Sequence, residues 1–566
     1  MASRRITVEK GAKKLAPEKI FLDARHGQDD KIALWLGLSL FCLYLLTTAA
    51  HQPYGDEREY FEIAENILTR RRPVVTQIHL QADGQSQSVL GYTRFSLGQS
   101  FLIIPFVAAE RMTAAIFSLS TPSLSRFIIN ALPAAESAAT CALLFLLIRV
   151  FGNVNSELGL AKKSAVLLVL ATALGTQLWP ASRTLFADTS IAFLLTFALY
   201  ALVRFRHAKG NSKWLIAAAW SAALMFACKN LLILTWPALL SYGFWSVVQR
   251  QKINPAMSVR HLMGLGCLTA LPLLLSILLQ LWYNDLRYDT VWLSGYHERR
   301  EGDFGFSTPL LVGLYGILLS SGRSLFLYSP PCLLALFGAR DFFRGALAEA
   351  VLIGGVAVPL TLAYAKWYSW HGGWEWGNRF FLFAIPLLLW LSVPAWRWMD
   401  QKLLPAITRR SYQTALILLL AVSIYIQGLG LLIHPAAYWS MTAHELSVLE
   451  HPTYEKGIWE IRDDMPLAHF VPEFSPLAAH HWLIQTTWSN WLLDDNTLAR
   501  SAPWYSLNPK WAPKNVRPYL GFDLWFYAPS PEGGENVGAN FLLGGLLAVM
   551  TVFGFFKLRQ SLARFP

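Results

Sequence analysis

The chain reads as an all-α polytopic membrane protein of about twelve transmembrane helices, with juxtamembrane helices and an outer-face C-terminal segment of mixed or unknown fold. Three observations carry this reading. Of 566 residues, 54% are apolar and only 15% charged, and the mean hydropathy is +0.36. Apolar runs of about 16 to 24 residues recur from Ile32 to Phe556, close to the roughly 20 residues that a helix needs to cross the hydrocarbon core. The 48 Lys and Arg outnumber the 36 Asp and Glu, and the surplus lies in short connections between apolar runs, where the positive-inside rule explains it. Nucleic-acid binding is therefore not implied, and a soluble multidomain enzyme, a disordered chain and a fibre are excluded.

The elements follow in order. The basic segment 1–31 has no small-residue cleavage site after it, so the first apolar run reads as a retained signal anchor with a cytoplasmic N-terminal segment before it. Spans are expected at 32–50, 126–149, 164–181, 189–204, 214–229, 231–248, 261–282, 324–338, 347–365, 380–397, 412–433 and 541–556. Alternate connections are basic, from Arg149, Lys162 and Lys163 to Lys557, Arg559 and Arg564, which puts both termini in the cytoplasm. Two more apolar stretches, 100–119 and 309–319, break this alternation if counted, and are assigned as interfacial or re-entrant segments. A bundle over 32–433, an outer-face domain over 434–540, and a last span with its tail over 541–566 result. The outer face also receives 51–125, 283–323 and 366–379, so the chemistry is expected there. All five cysteines lie in or beside apolar runs, which leaves neither a disulfide framework nor a zinc spacing.

After the first span, His51 to Pro73 has the pattern of a short amphipathic helix. Asp56 and Glu59 form an Asp-x-x-Glu capping box, Tyr60, Ile63, Ala64, Ile67 and Leu68 make an apolar stripe, and Arg70 to Arg72 precede the stop at Pro73. Asp56 and Glu57 either start this helix or hold a carboxylate at the membrane edge, as a general base or a ligand of a divalent ion. Asp188, the only carboxylate between the third and fourth spans, is either the N-cap of the fourth or a site residue at the membrane boundary.

Three segments, Gly55-Asp-Glu-Arg-Glu-Tyr-Phe-Glu-Ile-Ala64, Phe186-Ala-Asp-Thr-Ser-Ile-Ala-Phe193 and Trp370-His-Gly-Gly-Trp-Glu-Trp-Gly-Asn-Arg379, in that order and all on the expected outer face, resemble the GT-C superfamily of polytopic glycosyltransferases. That superfamily includes the protein O-mannosyltransferases and the aminoarabinose transferase of lipid A. Tyr92 to Ser100, Tyr283-Asn284 and Gly313 to Pro331 are similar to its bacterial phospholipid-carrier-dependent branch. The resemblance covers about residues 30 to 400 and fades after Gln427.

The resemblance implies an inverting transfer of a sugar from a polyprenyl-phosphate donor to a hydroxyl of a lipid, glycan or protein acceptor, in the inner membrane and at its outer, periplasmic face. It maps the family's base to Asp56, with Glu57 beside it and Asp188 as a second acidic site. A phosphate leaving group calls for positive charge more than for a second acid. Arg379, after three glycines, is the first candidate, followed by Lys229, Arg94 and Arg323. Lys229 can equally be part of a plain hairpin turn. Tyr60, His371, Trp374, Glu375 and Trp376 are candidates for sugar or acceptor contacts, although tryptophans at this density also suit an interfacial aromatic belt. No cofactor is required, and a divalent ion at Asp56, Glu57 and Asp188 is an alternative use of the acids. A transporter or flippase of lipid-linked sugars and an oligosaccharide ligase are the competing readings. The first lacks broken helices in matched halves, and the Trp-Trp-Asp signature of oligosaccharyltransferases is absent.

Overall fold

The structure, a computed structural model, describes residues 16–51, 53–80, 86–117, 122–155, 157–207, 211–253, 259–296, 305–398, 406–445, 466–509, 512–526 and 537–563. Helix α1 (Ala16–Leu46) leads to α2 (Asp56–Arg70), to a hairpin of β1 (Val75–Leu80) and β2 (Ser86–Gly91), and to α3 (Gly98–Phe117). The hairpin is antiparallel, with Val75 opposite Gly91 and Leu80 opposite Ser86. The bundle continues through α4 (Pro122–Ile129), α5 (Ala131–Val154), α6 (Lys162–Gly175), α7 (Leu178–Ala181), α8 (Ala187–His207), α9 (Lys213–Cys228), α10 (Trp236–Ile253), α11 (Val259–Tyr288) and α12 (Leu310–Leu319). It is completed by α13 (Leu325–Tyr328), α14 (Leu334–Gly345), α15 (Leu347–Lys366), α16 (Ala384–Leu391), α17 (Val393–Arg397) and α18 (Ala406–Leu432). The C-terminal segment follows with α19 (Pro435–Glu445), α20 (Pro466–Phe470), α21 (Pro476–Ser489) and α22 (Asp495–Arg500), and α23 (Val537–Ala563) returns to the bundle.

The chain is an α-helical membrane protein, and every apolar run of the sequence is helical, but not every run is one helix. Among the described residues, eight helices are long and apolar enough to cross a membrane. Five of the twelve expected spans are not among them: run 32–50 forms the last part of α1, which stops at Leu46, and the other four change form. Run 164–181 divides into α6 and α7, run 214–229 is a helix short of a full span, and runs 324–338 and 380–397 break at prolines into short helices and 3₁₀ turns. Proline removes an N–H donor, and broken helices expose backbone groups that lipid cannot satisfy. Residues Phe380 to Leu387 and Val393 to Trp396 are accordingly buried inside the bundle, with Trp390 and Trp396 at or near zero exposure. Of the stretch 100–119, expected to be interfacial or re-entrant, the described residues lie in helix α3, which reaches the length and hydropathy of a span, whereas 309–319 holds the 10-residue α12.

Helix α1 packs between α5 and α23, and the stack runs on through α8 and α9. The C-terminal segment has an apolar core of its own, in which Tyr438, Phe474, Trp482 and Trp504 meet. Part of the expected domain 434–540 lies outside the described residues, as do residues 1–15 of the N-terminal segment. What is described of 434–540 consists of helices and 3₁₀ turns.

Asp523 fastens this segment to the bundle. Its carboxylate accepts from the amides of Ala50 and His51 at 3.0 and 3.1 Å, from His51 Nδ1 at 2.7 Å, and from the Arg183 guanidinium. Burial and the nearby Arg183 push His51 down to about 3, so His51 donates as a neutral ring. Breaking a buried ion pair strands the remaining charge, at a cost of about 3–5 kcal/mol. Asp523→Ala is therefore expected to lower the thermal midpoint of the purified protein strongly, whereas Asp495→Ala, which removes an exposed partner of Arg517, is expected to leave it nearly unchanged.

Candidate functional site

The site is built from five stretches that meet at one end of the bundle. Helix α2 begins immediately after Gly55, whose φ of +55° suits a residue without a Cβ, and Asp56 is its first residue. The capping box of the sequence reading does not form: the helix start has no side-chain cap. The Glu59 carboxylate instead accepts the Thr93 hydroxyl, and Asp56 Oδ2 meets Arg379 at 2.7 Å. Asp188 likewise is no N-cap. It sits in the first turn of α8, and its Oδ1 takes the Lys229 ammonium at 2.5 Å.

Arg379 is held by its own loop. Gly372, Gly373 and Gly377 all have φ between +68° and +79°, and a Cβ on Gly377 would lie 2.6 Å from the Gln177 side chain. The loop folds back so that Gly372 O accepts from Arg379 Nε at 2.7 Å, and the guanidinium lies 3.8 Å from the Phe186 ring centroid. Lys229 stands 4.3 Å from the Phe380 ring centroid, and Arg94 lies over Phe95 and Tyr296 at 5.4 and 5.6 Å. Cations over aromatic faces are stabilised where water is scarce.

These groups wall a cavity of about 500 Å³. Asp56, Arg94, Lys229, Arg379, Tyr60 and Trp374 of the sequence-derived set line it, and Asp188 supports it from behind Lys229. Burial works against ionising Asp56, but Arg379, Arg94 and Lys229 outweigh it and hold the carboxyl below the usual carboxylate range. The Arg379 guanidinium is raised despite its burial, by Asp56 and Asp188. The cavity thus presents one ionised carboxylate among three cations.

Five of the proposed residues stand elsewhere. Arg323 is fully buried beneath the loop, where its guanidinium donates to the carbonyls of Glu375 at 2.6 Å and of Gly373 and Gly377 at 2.5 Å; it shapes the loop and does not face the cavity. His371 is buried against His469, with ring centroids 4.5 Å apart, and Trp376 packs on Tyr328 and His480. Glu375 accepts the Tyr54 hydroxyl. Glu57 is buried beside a separate small cavity that it shares with His51, Arg126 and Arg183. Burial and the neighbouring Glu375 push Glu57 well up, and burial also raises Glu375, so this pair favours the protonated form. The structure does not bring Asp56, Glu57 and Asp188 together as a ligand set, and among the described residues no group of three His, Cys, Asp or Glu is placed to hold a metal ion.

Sequence reasoning missed Tyr54, Phe186, Tyr296 and Tyr368 on the wall, and His434 and Ser440 from the C-terminal segment. Tyr54 and Phe186 adjoin motif residues and were within reach. Nothing in the local sequence marks the others.

No family model matches the chain, and no curated protein does. Among solved structures it is similar to ArnT from Cupriavidus metallidurans bound to undecaprenyl phosphate, at 12% identity and a TM-score of 0.44 over 95% of this chain and 78% of that one. It is also similar to the archaeal oligosaccharyltransferase AglB from Archaeoglobus fulgidus in complex with an inhibitory peptide and a dolichol-phosphate, at 12% identity and a TM-score of 0.41 over 84% and 59%.

If Arg323 shapes the loop, a lysine cannot replace it, because a single ammonium does not reproduce a fork across three carbonyls. Arg323→Lys is expected to raise amide exchange across 370–379 and to leave exchange in α1 and α5 unchanged. Unaltered protection of the loop would refute this role.

Proposed function

We propose that the chain is an inverting glycosyltransferase of the inner membrane, which moves a sugar from a polyprenyl-phosphate donor to a hydroxyl of a lipid, glycan or protein acceptor at the outer face. The observation that carries this reading is the ionised Asp56 facing Arg379, Lys229 and Arg94 across one cavity. It is joined by the resemblance of the segments around Asp56, Asp188 and Arg379 to polytopic glycosyltransferases of the GT-C superfamily, and of Tyr92 to Ser100 and Gly313 to Pro331 to the carrier-dependent branch.

In this reading the donor phosphate sits among the three cations. Asp56 takes the proton of the acceptor hydroxyl as its oxygen attacks the anomeric carbon from the face opposite the phosphate. The bond from that carbon to the phosphate oxygen breaks, its electron pair stays with the lipid phosphate, and Arg379, Lys229 and Arg94 stabilise the charge that develops there. Asp188 keeps Lys229 charged and in place. Glu375, which accepts the Tyr54 hydroxyl, and Glu57 lie off the cavity wall and take no proton from the acceptor.

Asp56→Asn is expected to lower transfer from a purified polyprenyl-phosphate sugar by about 10²–10⁴-fold while carrier binding persists. Normal turnover by this variant would sink the assignment. The pH dependence provides a separate test. Asp56 is held below its ordinary value of 3.8, so the acid limb of kcat/KM in the wild type is expected below that pH. With Arg379→Gln, burial is opposed by less positive charge, the Asp56 pKa rises, and the acid limb is expected to move up.

A further inference from the structure

At the end of the bundle away from this site lies a second cavity, of about 1150 Å³, which the proposed reaction does not use. It opens where α8 ends, between α10 and the start of α15, at the end of the bundle that the charge pattern assigns to the cytoplasm. Arg206, His207, Tyr242, Trp245 and Glu349 form its polar end. Glu349, 3% exposed, accepts from the Arg206 guanidinium and from Tyr242 Oη at 2.7 Å, and His207 Nε2 stands 3.5 Å away. Arg206 lies 4.1 Å from the Trp245 ring centroid, and its bonds to Glu349 and Tyr242 both run through one terminal nitrogen of a five-donor fork. Glu157 is exposed on the rim. From Trp245 the wall continues along α10 to Ala238, seven residues or about 10 Å nearer the middle of the bundle, beside Val351 and Gly355 of α15.

An ion pair that served only to clamp α8 to α15 would be packed over. Here it stands in the wall of an open groove, with a charged end at the level of the basic connections and an apolar limb toward the bilayer middle. The charged end carries two bases and two acids. An anionic head alone would meet Glu349 and Glu157, and a cationic one would meet Arg206 and His207. A head with a phosphate and an ammonium two carbons apart satisfies both signs. We infer that this cavity binds one phosphatidylethanolamine from the leaflet at that end, with the phosphate on Arg206 and His207, the ammonium on Glu349 and Glu157, and one acyl chain along Val351 and Gly355.

The test reads lipid binding and does not depend on any transferase activity. Full-length protein is delipidated in detergent and titrated with phosphatidylethanolamine, phosphatidylcholine and phosphatidylglycerol of the same acyl chains, followed by thermal midpoint and by native mass spectrometry. The ethanolamine lipid is expected to be retained about fivefold more tightly than the choline lipid, whose quaternary nitrogen has no N–H to donate, and more tightly than the glycerol lipid, which has no cation. Glu349→Gln is expected to abolish the preference. Because that variant also loosens the pairing of α8 with α15, Val351→Trp is made beside it: Val351 is 62% exposed on the groove wall, so the larger side chain fills the limb without touching the ion pair. It is expected to weaken binding of the ethanolamine lipid while leaving the lipid-free midpoint unchanged. Equal retention of the three lipids by the wild type, or undiminished binding of the ethanolamine lipid by Val351→Trp, would overturn the inference.

Discussion

The ion pair between Asp56 and Arg379 joins two points of the chain that are 323 positions apart, and the architecture of this end of the bundle depends on it. The Arg379 and Asp56 side chains are 12% and 26% exposed at the cavity wall, so both charges are partly desolvated and each favours the other's presence there. The same constraint recurs nearby. Asp188 meets Lys229 across 41 positions, and Arg183 meets Asp523 across 340. An alternative packing of α2, α8 or the C-terminal segment would leave one of these charges unpaired, which penalises it more heavily than lost apolar contact alone.

Only a loop that is itself rigid can deliver Arg379 to this position. Residues 370–379 contain three glycines with positive φ, which is costly in conformational entropy, and carry no regular secondary structure before Arg379. Arg323 offsets that cost by taking three of the loop's carbonyls, and Asn378 Nδ2 donates to Trp370 O at 2.8 Å. The loop in turn runs into the broken segment 379–397, whose irregular backbone is tolerated because bundle side chains enclose it. Broken helix, rigid loop and buried cation are consecutive consequences of one requirement, which is to hold a guanidinium at the cavity without a helix that would carry it past.

Much of this was legible in the sequence, and the limits have physical causes. Hydropathy and charge alternation locate every apolar segment, but neither reveals that 380–397 is enclosed by protein; a buried helix and a lipid-facing one have the same composition, and Pro386 and Pro394 were the available clue. Alternation excluded α3 as a span because it counts loops and not helix lengths. At the site, Asp56 and Lys229 were identifiable as charges beside apolar runs, which are rare and costly, Arg379 by the three glycines before it, and Arg94 only as a weaker basic candidate of the outer loop. Arg323 was a candidate of the same rank and stands under the loop, since sequence cannot distinguish a cation paid for by carbonyls from one that faces a cavity. The capping box failed because local preference assigns Asp56 to the helix that follows it, whereas a partner 323 positions away binds it more strongly.

The pairing of Asp56 with Arg379 also bears on the proposed chemistry. A carboxylate held by a guanidinium is a weak base, and a cavity arranged only for proton removal would keep its cations away from it. The arrangement is coherent if the donor phosphate and Asp56 compete for the same guanidinium. When the donor's phosphodiester, with its single negative charge, enters among Arg94, Lys229 and Arg379, it draws the fork toward itself, the carboxylate loses part of its partner, and the burial that already opposes its charge raises its basicity. Asp56 then becomes an effective base only when a donor is in place. In the absence of donor, the ion pair keeps both charges satisfied, so in the proposed reaction the contact that stabilises the fold at rest would also make proton transfer conditional on the bound donor.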